Sequence, residues 1–539
     1  MPQQPSSHYQ SLLRRLLSDV NSKHFTADSW IADALGADLF GTSILTELKN
    51  GADLTLLLRQ YEKLAENEKP SEALAQKFIQ AWQNAAIKDM ATFEAQDILD
   101  GIMPFIRLGI MPSQPFLDAW RRVAEKKIDA FSANGLSHCI YALAKLEAIT
   151  PQEFLGAWRQ AVERRLPKST EGLANAIDAF SRFGVMPAPE FLHAWQVNAM
   201  QKIQSFSAPE LSQSINALAR LRVKPLPEFL YGWHAEAIRK MQKFDAKGLA
   251  NCIHAFARFE VMPSQKFLHA WYNAAIKNIE SFSEIELSKS IHAFAKLGIV
   301  PSTAFVEVWQ KNAISKIARF NERRICNSIY SLAVLSAISD DQIPLPPEFT
   351  KAINSGKYNF SEIDIHQLYL ADKFFSGTPP AFNIDYEPTL SWTEKEKNTV
   401  SKREKQVEGF MRGSKTLREL QRQGFTMHTE KFIPEIASCV DICFKGADEK
   451  TALIVQIDSH YHYIAAAGNR DMLDGSSQFQ NKLLGKLGIP IIRFNLHGRP
   501  TEELMTPLLD KINDTLLPSS RWVDVVERSE NGQGHAATL

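Results

Sequence analysis

The chain has 539 residues, 45% of them apolar and 23% charged, with Lys+Arg and Asp+Glu both at 61. This describes a folded chain with ample core, and a net charge of zero gives no global case for a nucleic-acid or membrane partner, so any basic surface must be local. No apolar run reaches the roughly 18 to 20 residues that span a bilayer, and the five cysteines lack metal-site spacing, which favours a reducing compartment over a disulfide framework.

Residues 1–69 read as an N-terminal helical cap. Arg14 and Arg15 among serines and leucines fit a terminal helix or an organelle presequence. The expected location is cytoplasmic, with a mitochondrion, a chloroplast or the host cell of an intracellular bacterium as alternatives. From residue 70 to 375 the chain repeats. Trp82, Trp120, Trp158, Trp195, Trp233, Trp271 and Trp309 recur at 38 residues, once at 37, and each follows a phenylalanine by four positions. A unit that cannot bury its own apolar face stacks on its neighbours, so an elongated all-α solenoid with one long surface is expected.

Each repeat opens near a proline eight positions before the tryptophan, as in Pro187 and Pro263, where a missing N–H is tolerated. The first helix carries an i, i+4 apolar row such as Phe267, Trp271, Ala275 and Ile279, which assigns the tryptophans to core. A Phe-Ser turn, as in Phe206-Ser207, places a capping serine before the second helix. That helix reads Leu-x-x-small-Ile-x-Ala-(Phe/Leu)-Ala-(Lys/Arg)-(Leu/Phe), for example Leu249 to Phe259.

With the leading leucine or isoleucine as position 0, positions 0, 4, 7 and 8 form one apolar arc and positions 2, 5 and 9 lie opposite. Position 2 runs Asp100, His138, Asn175, Gln213, Asn251, Lys289 and Asn327; position 5 runs Met103, Tyr141, Asp178, Asn216, His254, His292 and Tyr330. Position 9 is Arg107, Lys145, Arg182, Arg220, Arg258 and Lys296, then Val334. A cation at one position suits a phosphate backbone, while varied amides, histidines and tyrosines at the other two suit one exposed base per repeat. A solvated outer face explains the variation but not the persistent charge. A variable column on the first helix, including Gly156, Tyr231 and Glu307, is read as solvated exterior.

Pro346-Pro347-Glu348-Phe349 and Phe360-Ser361 mark a degenerate eighth repeat without tryptophan, and residues 376–395 read as a linker. Residues 396–520 change pattern. Helical and strand-like runs alternate, describing a small α/β domain, and residues 521–539 read as a flexible tail. Its polar constellation is Asp441, Gln456, Asp458, His460, His462, Gln480 and Lys482. Carboxylates at adjacent strand ends could hold Mg²⁺ while a lysine or amide positions water, the set of a metal-dependent nuclease.

The repeat unit, Pro263-Ser-Gln-Lys-Phe-Leu-His-Ala-Trp271 with Leu287-Ser-Lys-Ser-Ile-His-Ala-Phe-Ala-Lys-Leu297, resembles the octotricopeptide repeat of organellar RNA-binding proteins. The last domain resembles the RAP domain that accompanies it and recurs in the FAST-kinase-domain family of RNA regulators. That likeness rests on Ser401-Lys-Arg-Glu404, Val440-Asp441-Ile442, Ile457-Asp458-Ser-His-Tyr-His462-Tyr463 and Asn481-Lys-Leu-Leu484. It implies a minimal restriction-endonuclease-like fold with Asp441 and Asp458 as metal acids and Glu404 or Glu408 as the helix acid; Lys482, from the constellation above, is a further catalytic candidate. Gln456 stands where a glutamate is usual and Ser459 where a glycine is, and a neutral amide weakens metal binding. The expected function is therefore single-stranded RNA binding by the repeats, aided by the C-terminal domain. No cofactor is required for binding. The competing readings are a Mg²⁺-dependent endoribonuclease guided by the repeats and a protein-interaction scaffold.

Overall fold

The computed structural model describes residues 16, 26–35, 45, 48, 51–67, 70–146, 150, 152–376, 381–387, 402–433, 436, 438–458, 463–464, 472–486, 488–495 and 501–517. They fall in two compact units, 1–240 and 241–539. Among the described residues no helix is long and apolar enough to cross a membrane.

The first unit holds α1 (Ala27–Leu35), α2 (Gly51–Asn67), α3 (Glu72–Asp89), α4 (Ala95–Asp100), α5 (Met103–Leu108), α6 (Gln114–Lys126), α7 (Ala133–Lys145), α8 (Gln152–Arg164), α9 (Thr170–Phe183), α10 (Pro189–Gln201), α11 (Ala208–Arg220) and α12 (Pro227–Lys240). The second helix of repeat one is split into α4 and α5. Pro104 removes a donor and its ring clashes with the carbonyl four residues back, at Asp100, where α4 ends. Elsewhere the second helices α7, α9 and α11 run unbroken and pack side by side. Serine caps start them as the sequence predicts, with Ser132 Oγ accepting from the Gly135 N–H at 3.0 Å and Ser169 Oγ from the Gly172 N–H at 2.9 Å.

The second unit continues the pattern with α13 (Ala246–Phe259), α14 (Gln265–Asn278), α15 (Glu284–Leu297), α16 (Thr303–Ser315), α17 (Glu322–Ile338), α18 (Pro347–Ile353) and α19 (Glu362–Phe375). Here α13, α15, α17 and α19 form the side-by-side row, so the eighth repeat keeps its second helix and shortens its first. The seven repeat tryptophans have no solvent exposure. Each indole N–H donates backwards: Trp120 to the Ile98 carbonyl at 2.7 Å, Trp158 to Leu136 at 3.0 Å, Trp271 to Leu249 at 2.8 Å and Trp309 to Leu287 at 2.9 Å. The acceptor is position 0 of the preceding second helix, so one side chain both fills core and bolts neighbouring repeats together.

After the repeats, Asp372 on α19 accepts from the Ala381 N–H at 2.8 Å and from the Tyr386 hydroxyl at 2.9 Å, so the described part of the linker is pinned back to the array. The C-terminal domain comprises α20 (Lys402–Gly413), α21 (Lys415–Arg422), β1 (Thr426–Ile433), β2 (Ser438–Lys445), β3 (Thr451–Asp458), the short pair β4 (Tyr463–Ile464) and β5 (Met472–Leu473), α22 (Gly475–Lys486), β6 (Ile491–Asn495) and α23 (Glu502–Leu516). The main sheet has the order β1-β2-β3-β6, antiparallel except for the parallel β3–β6 pair that α22 connects. Strand alternation sends Ile442, Phe444, Leu453, Val455, Ile457, Ile492 and Phe494 into a core with α20, α21 and α23. Asp441, Gln456, Asp458 and Arg493 are therefore on the opposite face, towards α22.

Candidate nucleic-acid interface

In the first unit the polar columns are closed on themselves. Asn175 and Asp178 are buried, and Gln213 Nε2 donates to Asn175 Oδ1 at 3.1 Å and to Asp178 Oδ2 at 3.3 Å. Arg182 Nε donates to the same Asp178 carboxylate at 2.7 Å. His138 lies 3.1 Å from Glu171, Arg107 pairs with Glu62 of α2, and Arg59 pairs with Asp100. The Lys145 ammonium sits 5.4 Å from the centre of the Tyr141 ring. Arg220 is exposed and Asn216 half-buried. An opening of about 510 Å³ lies between Arg59, Asp100, Met103, Arg107 and His138.

In the second unit the same columns hold no acidic residue and are less satisfied. Lys289 Nζ donates to Asn251 Oδ1 at 2.6 Å, and Lys296 pairs with Glu260 at 3.4 Å. His254 Nδ1, His292 Nδ1, Asn327 Oδ1 and Gln367 Oε1 are buried atoms with no hydrogen-bond partner in the protein. The first three are on positions 5 and 2 of repeats five to seven, and Gln367 holds position 2 of the eighth, counted from its Ser361 cap. In the first unit, Ser214 Oγ alone is in that condition among the described residues. Burial, then the charges of Lys289 and its neighbours, pushes the His254 imidazole down to about 2; burial, then Lys296 and Arg323, takes His292 to about 4. Both rings are neutral at physiological pH and each keeps one donor and one acceptor nitrogen.

The end of the ladder has a structural cause. Tyr330 meets the Phe479 ring of α22 edge-on at 5.6 Å, and Val334 is buried where α17 packs on α22. Phe374, at the position-9 place of α19, also packs on Phe479 at 5.6 Å, under the Lys486 ammonium. The apolar residues at position 9 thus coincide with the helix of the C-terminal domain that covers them. Two glycines permit that approach, since a Cβ on Gly475 would fall 1.7 Å from the Ala295 carbonyl oxygen of α15 and 3.2 Å from the Gly298 nitrogen. Tyr330, expected to face a base, also packs on the helix of the C-terminal domain.

A second cation column escapes inspection of the second helices because it ends the first ones, seven residues after the tryptophan. Lys127 Nζ donates to the Phe93 carbonyl at 2.6 Å, Arg165 Nη1 to Phe131 at 2.9 Å, Lys240 to Phe206, and Lys316 Nζ to Phe282 at 2.6 Å. These side chains cap the turn of the preceding repeat. Their signal in the sequence was the same 38-residue recurrence.

On the α22 face of the sheet, Asp441 Oδ2 accepts from the Ile457 N–H at 2.6 Å, and Gln456 Oε1 lies 3.4 Å from the Asp441 N–H. Asp458 is buried and ion-paired with Arg493 Nη1 at 2.5 Å. Arg493 also donates from Nε to Asn481 Oδ1 and from Nη2 to Gln480 Oε1, both at 2.8 Å. Arg493 was not singled out from the sequence; its alternation with Ile492 and Phe494 places it only on the same face of the sheet as Asp458. Lys482 is exposed. Glu404 belongs to α20, with its side chain outside the described residues, as are His460 and His462. Among the described residues no group of three or more His, Cys, Asp or Glu could hold a metal ion.

Residues 86–341, just under half the chain, match the model of a protein family described as RNA-editing substrate-binding complex 6 protein. The match covers most of the repeats and stops before the C-terminal domain. No curated protein matches the chain.

Proposed function

We propose that the repeats bind single-stranded RNA along the row of second helices, up to one base per repeat, with position 9 following the phosphates. The observation that carries this reading is the run of unpartnered polar atoms on His254, His292 and Asn327 beside Arg258, Lys289 and Lys296. A buried polar atom without a partner costs about 1–3 kcal/mol, a cost that a base edge would relieve. The matched family takes its name from an RNA-editing substrate-binding complex, which accords with an RNA ligand and with protein partners for this chain. The octotricopeptide likeness points the same way.

The strand order of the C-terminal domain, three antiparallel strands followed by a helix and a parallel strand, accords with the RAP and restriction-endonuclease-like resemblance. Its chemistry favours RNA binding over cleavage, because Arg493 neutralises the acid that a metal would need and Asp441 is held by a backbone N–H. A fluorescence-anisotropy titration with single-stranded and duplex RNA tests the proposal. Preference for the single strand is expected, with affinity falling as salt rises. Duplex preference, or no binding at moderate salt, would overturn it.

A further inference from the structure

The second unit has a cleft of about 330 Å³ where the last repeats meet α22, lined by Tyr330, His366, Asp474, Ser476, Phe479 and Gln480 among others. The volume sits at the low end of small-molecule sites, room for one nucleoside and not for a stretch of chain. Its walls combine two aromatic rings with hydroxyl, amide, imidazole and carboxylate groups. Among the described residues no lysine or arginine lines it, so they offer a phosphate no counter-charge inside.

The polar groups are prepared for a ligand. Gln480 Oε1 accepts from Arg493 Nη2, and arginine has only donors, so the amide must turn its NH₂ group away from Arg493 as a fixed donor. Arg493 is in turn held by Asp458. His366 Nδ1 is buried without a partner in the protein. The Asp474 carboxylate caps α22, accepting from the Ser477 N–H at 2.7 Å through one oxygen. Tyr330, position 5 of the seventh repeat, forms the wall nearest the polar columns, so a strand following those columns reaches the cleft next.

From this arrangement we infer that the cleft takes one unpaired nucleobase with its ribose, and that Asp458 and Arg493 are positioning residues for Gln480 rather than parts of a metal centre. The inference deepens the RNA-binding reading and rests on it for the source of the base. A free nucleoside offers the same chemistry without a backbone.

The test uses the full chain and an RNA 12-mer recovered from a random pool by selection on it, with 2-aminopurine placed at each position in turn. One position is expected to change emission at least about twofold on binding, by the stacking that aromatic walls give a base. Ser476→Trp, which fills the cleft from an exposed rim position, and Gln480→Leu, which removes the donor, should each abolish that signal and weaken binding about five- to tenfold. Circular dichroism of both variants verifies folding. Unchanged affinity and emission in both variants would overturn the cleft while leaving RNA binding by the repeats standing. If the pool yields no RNA, the RNA reading fails on its own, and saturation-transfer NMR with the four free nucleosides decides the cleft. Binding lost in both variants supports a nucleoside site, and no binding by the wild type overturns it.

Discussion

At the residue scale, the tryptophans and the column histidines make opposite demands on their surroundings. Trp233 has no exposure and donates to the Leu211 carbonyl at 2.9 Å. Trp233→Ala should cost about 3–5 kcal/mol, read as a lower urea midpoint, because a cavity opens and an inter-repeat bond is lost. His254 and His292 are neutral in the folded state, with values depressed below the usual imidazole range of about 6.5. Below about pH 6.5 the unfolded chain takes up protons that the folded chain refuses. The associated stability is therefore complete above that pH and lost as pH falls, towards about 4 for His292 and towards about 2 for His254, at up to about 1.4 kcal/mol per pH unit per histidine. Thermal melts between pH 7.5 and 4.5 should show this loss, and it should shrink in the His292→Asn variant. An unchanged slope in that variant would mean His292 is solvated.

At the element scale, two cation columns with the same period have different tasks. Lys240 and Lys316 reach backbone carbonyls of the preceding turn, whereas Arg258 is exposed on the column face and Lys296 is half-exposed there. Replacing Arg258 and Lys296 together with alanine should weaken RNA binding for all sequences and flatten the salt slope by about two, with little change in melting temperature. Lys316→Met should do the reverse, lowering stability by about 1.5–3 kcal/mol with RNA affinity kept. Period and capping were legible because a helical repeat writes its packing into every copy: Phe-Ser turns and Phe-x-x-x-Trp rows can be read without coordinates. Contacts between copies were not. Gln213 closing on Asn175 and Asp178, or Tyr330 meeting Phe479 149 positions later, depends on which side chains face each other across helices, and no single-repeat pattern encodes that.

At the scale of the whole molecule, the departures from the repeat mark the docking of the C-terminal domain. Val334 and Phe374 replace cations where α22 lies within the second unit. The sequence identified strand ends with acids there but could not reveal that Arg493 is paired with one of them, because that requires the β3–β6 register, Gln456 beside Arg493 and Asp458 beside Asn495. Asp458→Ala should therefore behave as the breaking of a buried ion pair, costing about 3–5 kcal/mol of domain stability. Addition of Mg²⁺ should leave the melting temperature of the wild type unchanged, and gel assays with bound RNA should show no cleavage. Metal-dependent cleavage abolished by Asp458→Ala would restore the nuclease reading.

The backward direction of the indole bonds gives the repeats a polarity in time as well as in space. Trp120, Trp158, Trp271 and Trp309 each donate to a carbonyl 22 residues nearer the N-terminus. During synthesis the acceptor emerges first, so a new repeat meets its partner already made and can seat as it leaves the ribosome. Loss of a later repeat removes one of two possible bonds to a carbonyl, while loss of an earlier one strands a buried donor. Erosion from the two ends is therefore unequal: the repeats shed late copies at less cost than early ones.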